Sequence, residues 1–215
     1  VIFSRFFDFL FPARCVSCFT YGSWWCEACC EKVETRPVKV FEGLDGFFCL
    51  GFYHDPVLRA AIHGLKYRGG RCLLPAIVDF ADRVCDQGQY FPWKGEASLS
   101  VQALPTDAFR LRERGFDQAV LLRDALLPIL HSGARSGNVL RRSGQRMAQA
   151  GIEDETLRVA NIANVFEIKS GARVPEVVLL LDDVTTSGAT MGEAARILRQ
   201  AGVKRVYGFA LALGA

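Results

Sequence analysis

The chain has 215 residues, a length that suits one medium domain plus a small appendage. Half of its residues are hydrophobic, enough for a sizeable core, and no apolar run is long enough to span a bilayer. A net charge of +3 is too mild for bulk electrostatic binding of nucleic acid, so any such binding must rest on a local patch.

At the N-terminus, Phe3, Phe6, Phe7 and Leu10 follow helical spacing and Pro12 stops the pattern. This predicts a short amphipathic helix packed on its own protein. The basic flank and small-residue cleavage site of a signal peptide are missing. Cys15, Cys18, Cys26 and Cys29 then form two Cys-x-x-Cys knuckles with seven residues between them. Four thiolates at this spacing can close tetrahedrally on a structural zinc. A disulfide reading would need an oxidising compartment, to which nothing here points, so a cytoplasmic protein is expected. Cys30 adjoins Cys29 and could compete as fourth ligand, but Cys29 completes the knuckle. Cys49, Cys72 and Cys85 lie on apolar or helical segments and read as small core residues. Trp24 and Trp25, beside the knuckle, could pack on the main domain or stack on a partner, and packing is the preferred reading. The expected division is an appendage over residues 1–36, a connector with Pro37, Gly43 and Gly46, and a main domain over residues 47–215.

Within the main domain, Phe47–Tyr53 reads as a strand. Asp55 and Pro56 open a helix with a capping carboxylate and a first-turn proline; it ends at Leu65-Lys66-Tyr67-Arg68-Gly69-Gly70. A second helix is expected over Leu73–Cys85 and a strand over Leu99–Leu104, ending at Pro105. The stretch after Pro105, with Arg110, Arg112 and Arg114, reads as a mobile loop. Helical periodicity covers Phe116–Leu130. Val139–Leu140 and Ala163–Ile168 read as short strands. Met191–Gln200 is a helix closed by Gly202, and Val203–Leu213 a last strand. Strands alternating with helices imply an α/β fold, a parallel sheet with helices on both faces. His54, His63 and His131 have no partner spacing and read as structural or solvent-facing.

The segment Val177–Thr190 carries the most chemistry. Val177–Leu181 is a short apolar run that reads as a central strand, and it ends on the adjacent carboxylates Asp182 and Asp183. Thr185, Thr186, Ser187, Gly188, Ala189 and Thr190 follow, turning into a helix. Backbone N–H groups at that helix start, the helix dipole and the hydroxyls suit an anionic phosphate. The two aspartates suit vicinal sugar hydroxyls or a magnesium-bound ligand. A polar cap alone would not need two acidic residues and six cradle-type residues in a row.

This segment resembles the phosphoribosyl pyrophosphate (PRPP) motif of type I phosphoribosyltransferases, with Ser187 where a threonine or glycine is common. Three further elements accompany it. They are Leu65-Lys66-Tyr67-Arg68-Gly69; Leu104-Pro105-Thr106 leading to Arg112-Glu113-Arg114-Gly115-Phe116-Asp117-Gln118-Ala119; and Gln149 followed by Arg158, Asn161 and Phe166. In this order, behind a four-cysteine ribbon, the chain looks like the ComF/GntX family, over nearly its whole length. Asp117 stands for the usual asparagine, Arg146 for a threonine, and the segment after Gln149 is one residue longer.

The resemblance implies a type I phosphoribosyltransferase-like parallel sheet flanked by helices, with a small N-terminal zinc ribbon. It implies binding of PRPP or a related sugar phosphate with magnesium. Asp182 and Asp183 would take the ribose hydroxyls, and Thr185 to Thr190 the 5′-phosphate. Lys66, Tyr67 and Arg68 would lie near the pyrophosphate. Arg114, with Arg110 and Arg112, would clamp it from a closing loop or contact a DNA backbone. A second basic cluster, Arg141, Arg142 and Arg146, is open to the same readings. The family also implies a link to DNA uptake in natural transformation, with single-stranded DNA and the uptake machinery as partners. Three readings stay open: a phosphoribosyltransferase acting by pentosyl transfer, a single-stranded DNA-binding uptake factor, and a PRPP sensor without turnover. No residue specifies an acceptor base.

Overall fold

The computed structural model describes residues 12–35, 41–67, 70–86, 91–143 and 165–214. The N-terminal helix expected before Pro12, Arg68, Arg146, and the segment from Gln149 to Asn161 lie outside them.

The first described element is a four-residue helical turn, α1 (Glu27–Cys30). The main unit follows as β1 (Gly46–Phe52), α2 (Pro56–Tyr67), a 3₁₀ turn (Gly70–Leu73) and α3 (Leu74–Asp86). Next come β2 (Leu99–Ala103), α4 (Ala108–Arg114), α5 (Gln118–Leu130) and β3 (Ala134–Gly137). The short strands β4 (Leu140–Arg142) and β5 (Phe166–Ile168), then β6 (Val177–Thr185), α6 (Ala189–Gln200) and β7 (Arg205–Leu213), complete it.

Five strands form one sheet in the order β1-β7-β6-β2-β3, and every pairing in it is parallel. β4 and β5 pair antiparallel beside it. The central strands are near-continuous apolar runs because both faces are covered. On one face Phe48, Leu50, Val101, Leu179, Leu181 and Phe209 pack against apolar residues of α2, α3 and α5. On the other, Phe47, Cys49, Val178, Leu180 and Ala210 pack against Met191, Ala194, Ala195 and Leu198 of α6 and against Leu140 and Phe166. The two-residue alternation of strand side chains divides the sheet between these cores.

The edge strand β3 (Ala134–Gly137) was not expected from the sequence, and two further differences bear on the site. Residues 108–114 form a helix and not a loop: the Asp107 carboxylate accepts from the Phe109 N–H at 2.8 Å, and Gly115, at φ 73°, closes the last turn. β6 also runs past Leu181 to Thr185, because β7 continues alongside it, pairing Asp182 with Ala210 and Thr185 with Leu213.

The four-cysteine unit shares a core with the sheet. Trp25 is buried with its ring centroid 4.9 Å from that of Phe80 on α3, and Cys29, Cys30 and Val33 join the same cluster. Phe80→Ala is expected to cost about 3–5 kcal/mol in urea unfolding. It should also speed amide exchange in residues 12–35, which Phe80 touches through Trp25; exchange there unchanged from the parent would contradict the shared core.

Candidate functional site: an acidic pair at a strand edge

β2 stops early. The Leu104 N–H donates to the Leu181 carbonyl at 2.9 Å, and Pro105 then has no N–H to continue the ladder. β6 runs on for four more residues with β7 on one side and, among the described residues, no strand on the other. Chain connections diverge here as well: β2 leads outward to β3, while β6 leads the opposite way to β7. Ligands in parallel sheets sit at such a switch point, beyond the carboxyl ends of the strands. A cavity of about 590 Å³ opens there, lined by Lys66, Arg114, Gln118, Asp182, Asp183 and Thr190 among others.

The acidic pair is held by its own backbone and by two side chains from elsewhere. Asp182 Oδ1 accepts from the Asp183 N–H, and Asp183 Oδ1 from the Val184 N–H, both at 2.8 Å. Asp183 Oδ2 accepts from Lys66 Nζ at 2.6 Å and from Gln118 Nε2 at 3.2 Å. Gln118 Oε1 in turn accepts from Arg114 Nη1 at 3.0 Å. Lys66 arrives from the last turn of α2, where a cation suits the helix dipole. Asp182 keeps part of its surface open to the cavity but is densely surrounded by protein. Burial first, and then the Asp183 carboxylate, push its carboxyl well above the usual range; the Asp183 N–H and Lys66 oppose this only in part.

The turn into α6 is set by Gly188. Its φ of 77° is left-handed, and a Cβ there would lie 2.3 Å from the Phe41 ring, so neither conformation nor space admits a side chain. No side chain caps α6 at this residue. Ser187 Oγ accepts from the Ala189 N–H at a long 3.4 Å. The start of α6 is therefore open to an anion. Thr186 and Ser187 are exposed, and Thr190 faces the cavity. Thr185 does not join them: it is buried, and its hydroxyl donates to Met191 Sδ at 3.6 Å. Strand alternation turns it inward, since β6 has not yet ended.

The two basic clusters divide. Arg114 and Arg142 line the cavity. Arg142 Nε donates to the Pro105 carbonyl at 3.0 Å, and its Nη1 lies 3.6 Å from Asp107 Oδ2. Its strand neighbour Arg141 pairs instead with Glu167 at 3.2 Å, and Arg112 is exposed. Tyr67 ends α2. Asp117, the departure noted in the sequence, caps α5 by accepting from the Ala119 and Val120 N–H groups; Thr106 Oγ1 also donates to it at 3.0 Å.

At the other end of the chain, the sulfurs of Cys15, Cys18, Cys26 and Cys29 all lie within 4.8 Å of one another, a cluster compatible with structural zinc. Cys30 is not in this group; it is buried in the core, where burial pushes its thiol up to about 11. Phe19, directly after Cys18, has a positive φ of 64°.

No family model matches the chain. It is 32% identical over 159 residues to Competence protein ComFC of Streptococcus pneumoniae, covering 69% of this chain and 68% of that one. The chain belongs to the ComF family of competence proteins. It is also 32% identical over 115 residues to Competence protein F of Haemophilus influenzae, covering 53% of this chain and 49% of that one. Among solved structures, the allosteric regulatory enzyme of purine biosynthesis is similar at a TM-score of 0.40 and 15% identity, over 70% of this chain and 30% of that one, too distant a likeness to assign anything. Among the described residues of this ComF chain, no helix is long and apolar enough to cross a membrane.

Gln118 is a cavity residue to which the sequence reading gave no role of its own, and Arg142 is the member of the second basic cluster that reaches the cavity. Gln118 stood in the Arg-Gly-Phe-Asp-Gln element, so its signal was present; Arg142 stood in a cluster whose members only the strand geometry separates.

The raised Asp182 has a stability consequence. Its carboxyl holds a proton to higher pH in the folded chain than in the unfolded one. Its contribution to stability therefore falls as pH rises from the ordinary carboxylate range through the raised value. Asp182→Asn keeps the acceptor oxygen and removes the charge. We expect it to melt a few degrees above the parent near about pH 8, with the gap closing toward about pH 4. A gap independent of pH, by calorimetric melting, would contradict the electrostatic origin.

Proposed function

We propose that the cavity at the end of β6 binds PRPP with magnesium, and that the four-cysteine cluster holds a structural zinc. One observation carries the first reading: Asp182, Asp183, Lys66, Arg114 and the uncapped start of α6 converge on one cavity. Its volume of about 590 Å³ falls in the usual range for small-ligand sites, about 300–1,000 Å³. Asp182 and Asp183 would accept hydrogen bonds from the two ribose hydroxyls. The N–H groups at the start of α6, with Thr186, Ser187 and Thr190, would donate to the 5′-phosphate. Lys66 and Arg114 would face the pyrophosphate, with Arg68 close behind Lys66 in the chain. The hard oxygen donors of the pair suit magnesium, which when bound with the ligand would offset the pyrophosphate charge. In the ComF setting, we place this sugar-phosphate binding in DNA uptake during natural transformation. Release of pyrophosphate with a nucleobase present would extend binding to transfer of phosphoribose.

A second reading, binding of single-stranded DNA, is favoured by the cysteine unit. Phe19 and Tyr21 are 50% and 67% exposed there. The Arg14 guanidinium lies 5.1 and 5.6 Å from their ring centroids. Exposed rings beside a cation can stack bases with little sequence preference.

Titration of PRPP with magnesium into the intact protein should give measurable heat. Asp182→Asn combined with Asp183→Asn should weaken binding by at least about tenfold while the fold is kept. No heat at millimolar ligand would overturn the PRPP reading. For the zinc, metal analysis should find the ion in the parent and not in a Cys15→Ser, Cys26→Ser variant. Chelation should lower the melting temperature of the whole protein, because Trp25 and Phe80 join the two parts; equal metal content in parent and variant would refute the assignment.

A further inference from the structure

Gln118 is 2% exposed, yet its side chain ends in a polar amide. Such a residue must satisfy both ends of that amide, and each end here goes to a cavity group. Its oxygen accepts from Arg114 Nη1 at 3.0 Å, which leaves the nitrogen to donate to Asp183 Oδ2 at 3.2 Å. The arginine partner fixes which end is which, since a guanidinium only donates and a carboxylate only accepts. The backbone holds the amide firmly: Gln118 is the first residue of α5, directly after the Asp117 cap. Arg114 closes the last turn of α4, whose other end is tied through Asp107 to Arg142. One buried amide thus joins Arg114, at the end of α4, to the acidic pair on β6.

We propose that Gln118 is a positioning residue that aims the Asp183 carboxylate and the Arg114 guanidinium together into the cavity, toward the hydroxyl and phosphate ends of one sugar-phosphate ligand. The inference rests on the PRPP reading for the ligand but not for the coupling itself. Without the amide donor, Asp183 Oδ2 keeps, among the described residues, Lys66 alone, and a ligand phosphate competes for that cation. With the donor in place, Asp183 stays oriented when Lys66 turns to the phosphate.

The test uses two variants of the whole protein. Gln118→Met keeps the volume and removes both hydrogen bonds. Gln118→Glu keeps the acceptor for Arg114 but sets a carboxylate against Asp183. Both should melt cooperatively and bind PRPP with magnesium about tenfold more weakly than the parent. The Gln118→Glu defect, measured against the parent at each pH, should shrink as pH falls, because the introduced carboxyl, once protonated, again offers a donor to Asp183. A purely structural role would not give that recovery. Parent-like affinity in both folded variants, or a pH-independent Gln118→Glu defect, would overturn the proposal. If the parent binds no PRPP, that ligand reading fails. The coupling is then decided in urea unfolding by a double-mutant cycle of Arg114→Ala and Asp183→Ala. A coupling that falls in the Gln118→Met background supports the relay. An unchanged coupling, or none in the parent, overturns it.

Discussion

Two adjacent carboxylates on a strand that has not yet ended are the constraint around which this molecule is arranged. A strand running into solvent would cost nothing at this point, but β6 is still paired with β7 through Thr185, so the aspartates stay in the sheet. Burial and mutual repulsion make one of them hold its proton strongly. The compensation comes from many directions: the backbone N–H groups of the next residues, Lys66 from the end of α2, and Gln118 from the start of α5. Each of these elements is anchored by its own cap or turn, so the polar groups reach the pair without being tethered to it in sequence.

Pro105 is the second half of the same arrangement. By ending β2 level with Leu181 it leaves one edge of β6 without a described neighbour strand, and the cavity occupies that space. α4 then flanks the opening. Its position follows from a short polar chain in which Asp107 caps the helix and also pairs with Arg142 from β4. The antiparallel β4–β5 pair therefore contributes to the cavity wall although it stands outside the main sheet.

The cysteine unit is small, and its core is not its own. Trp25, Cys29, Cys30 and Val33 lie in one apolar cluster with α2, α3 and the sheet face. A unit of this size buries too little surface to be stable alone. Cross-linking through four sulfurs and packing on α3 are two answers to the same deficit: the sulfurs stand close enough for the first, and the Trp25–Phe80 contact supplies the second.

The sequence determined much of this without help. Apolar runs of strand length alternating with helical periodicity specified a parallel α/β sheet, because burial on both faces leaves no room for polar alternation. Cysteine spacing specified the four-sulfur cluster, because knuckle geometry is local. The Asp55 cap, with its carboxylate 2.8 Å from the Val57 N–H, was legible for the same reason. What the tertiary structure decided is where chain-distant side chains meet. Lys66 and Gln118, both on Asp183, span long stretches of sequence, and no periodicity encodes those meetings. The inward turn of Thr185 depends on β7 prolonging β6, and the separation of Arg142 from Arg141 depends on which face of β4 each occupies. Local preference fixes elements; only packing fixes which of their polar groups share a cavity.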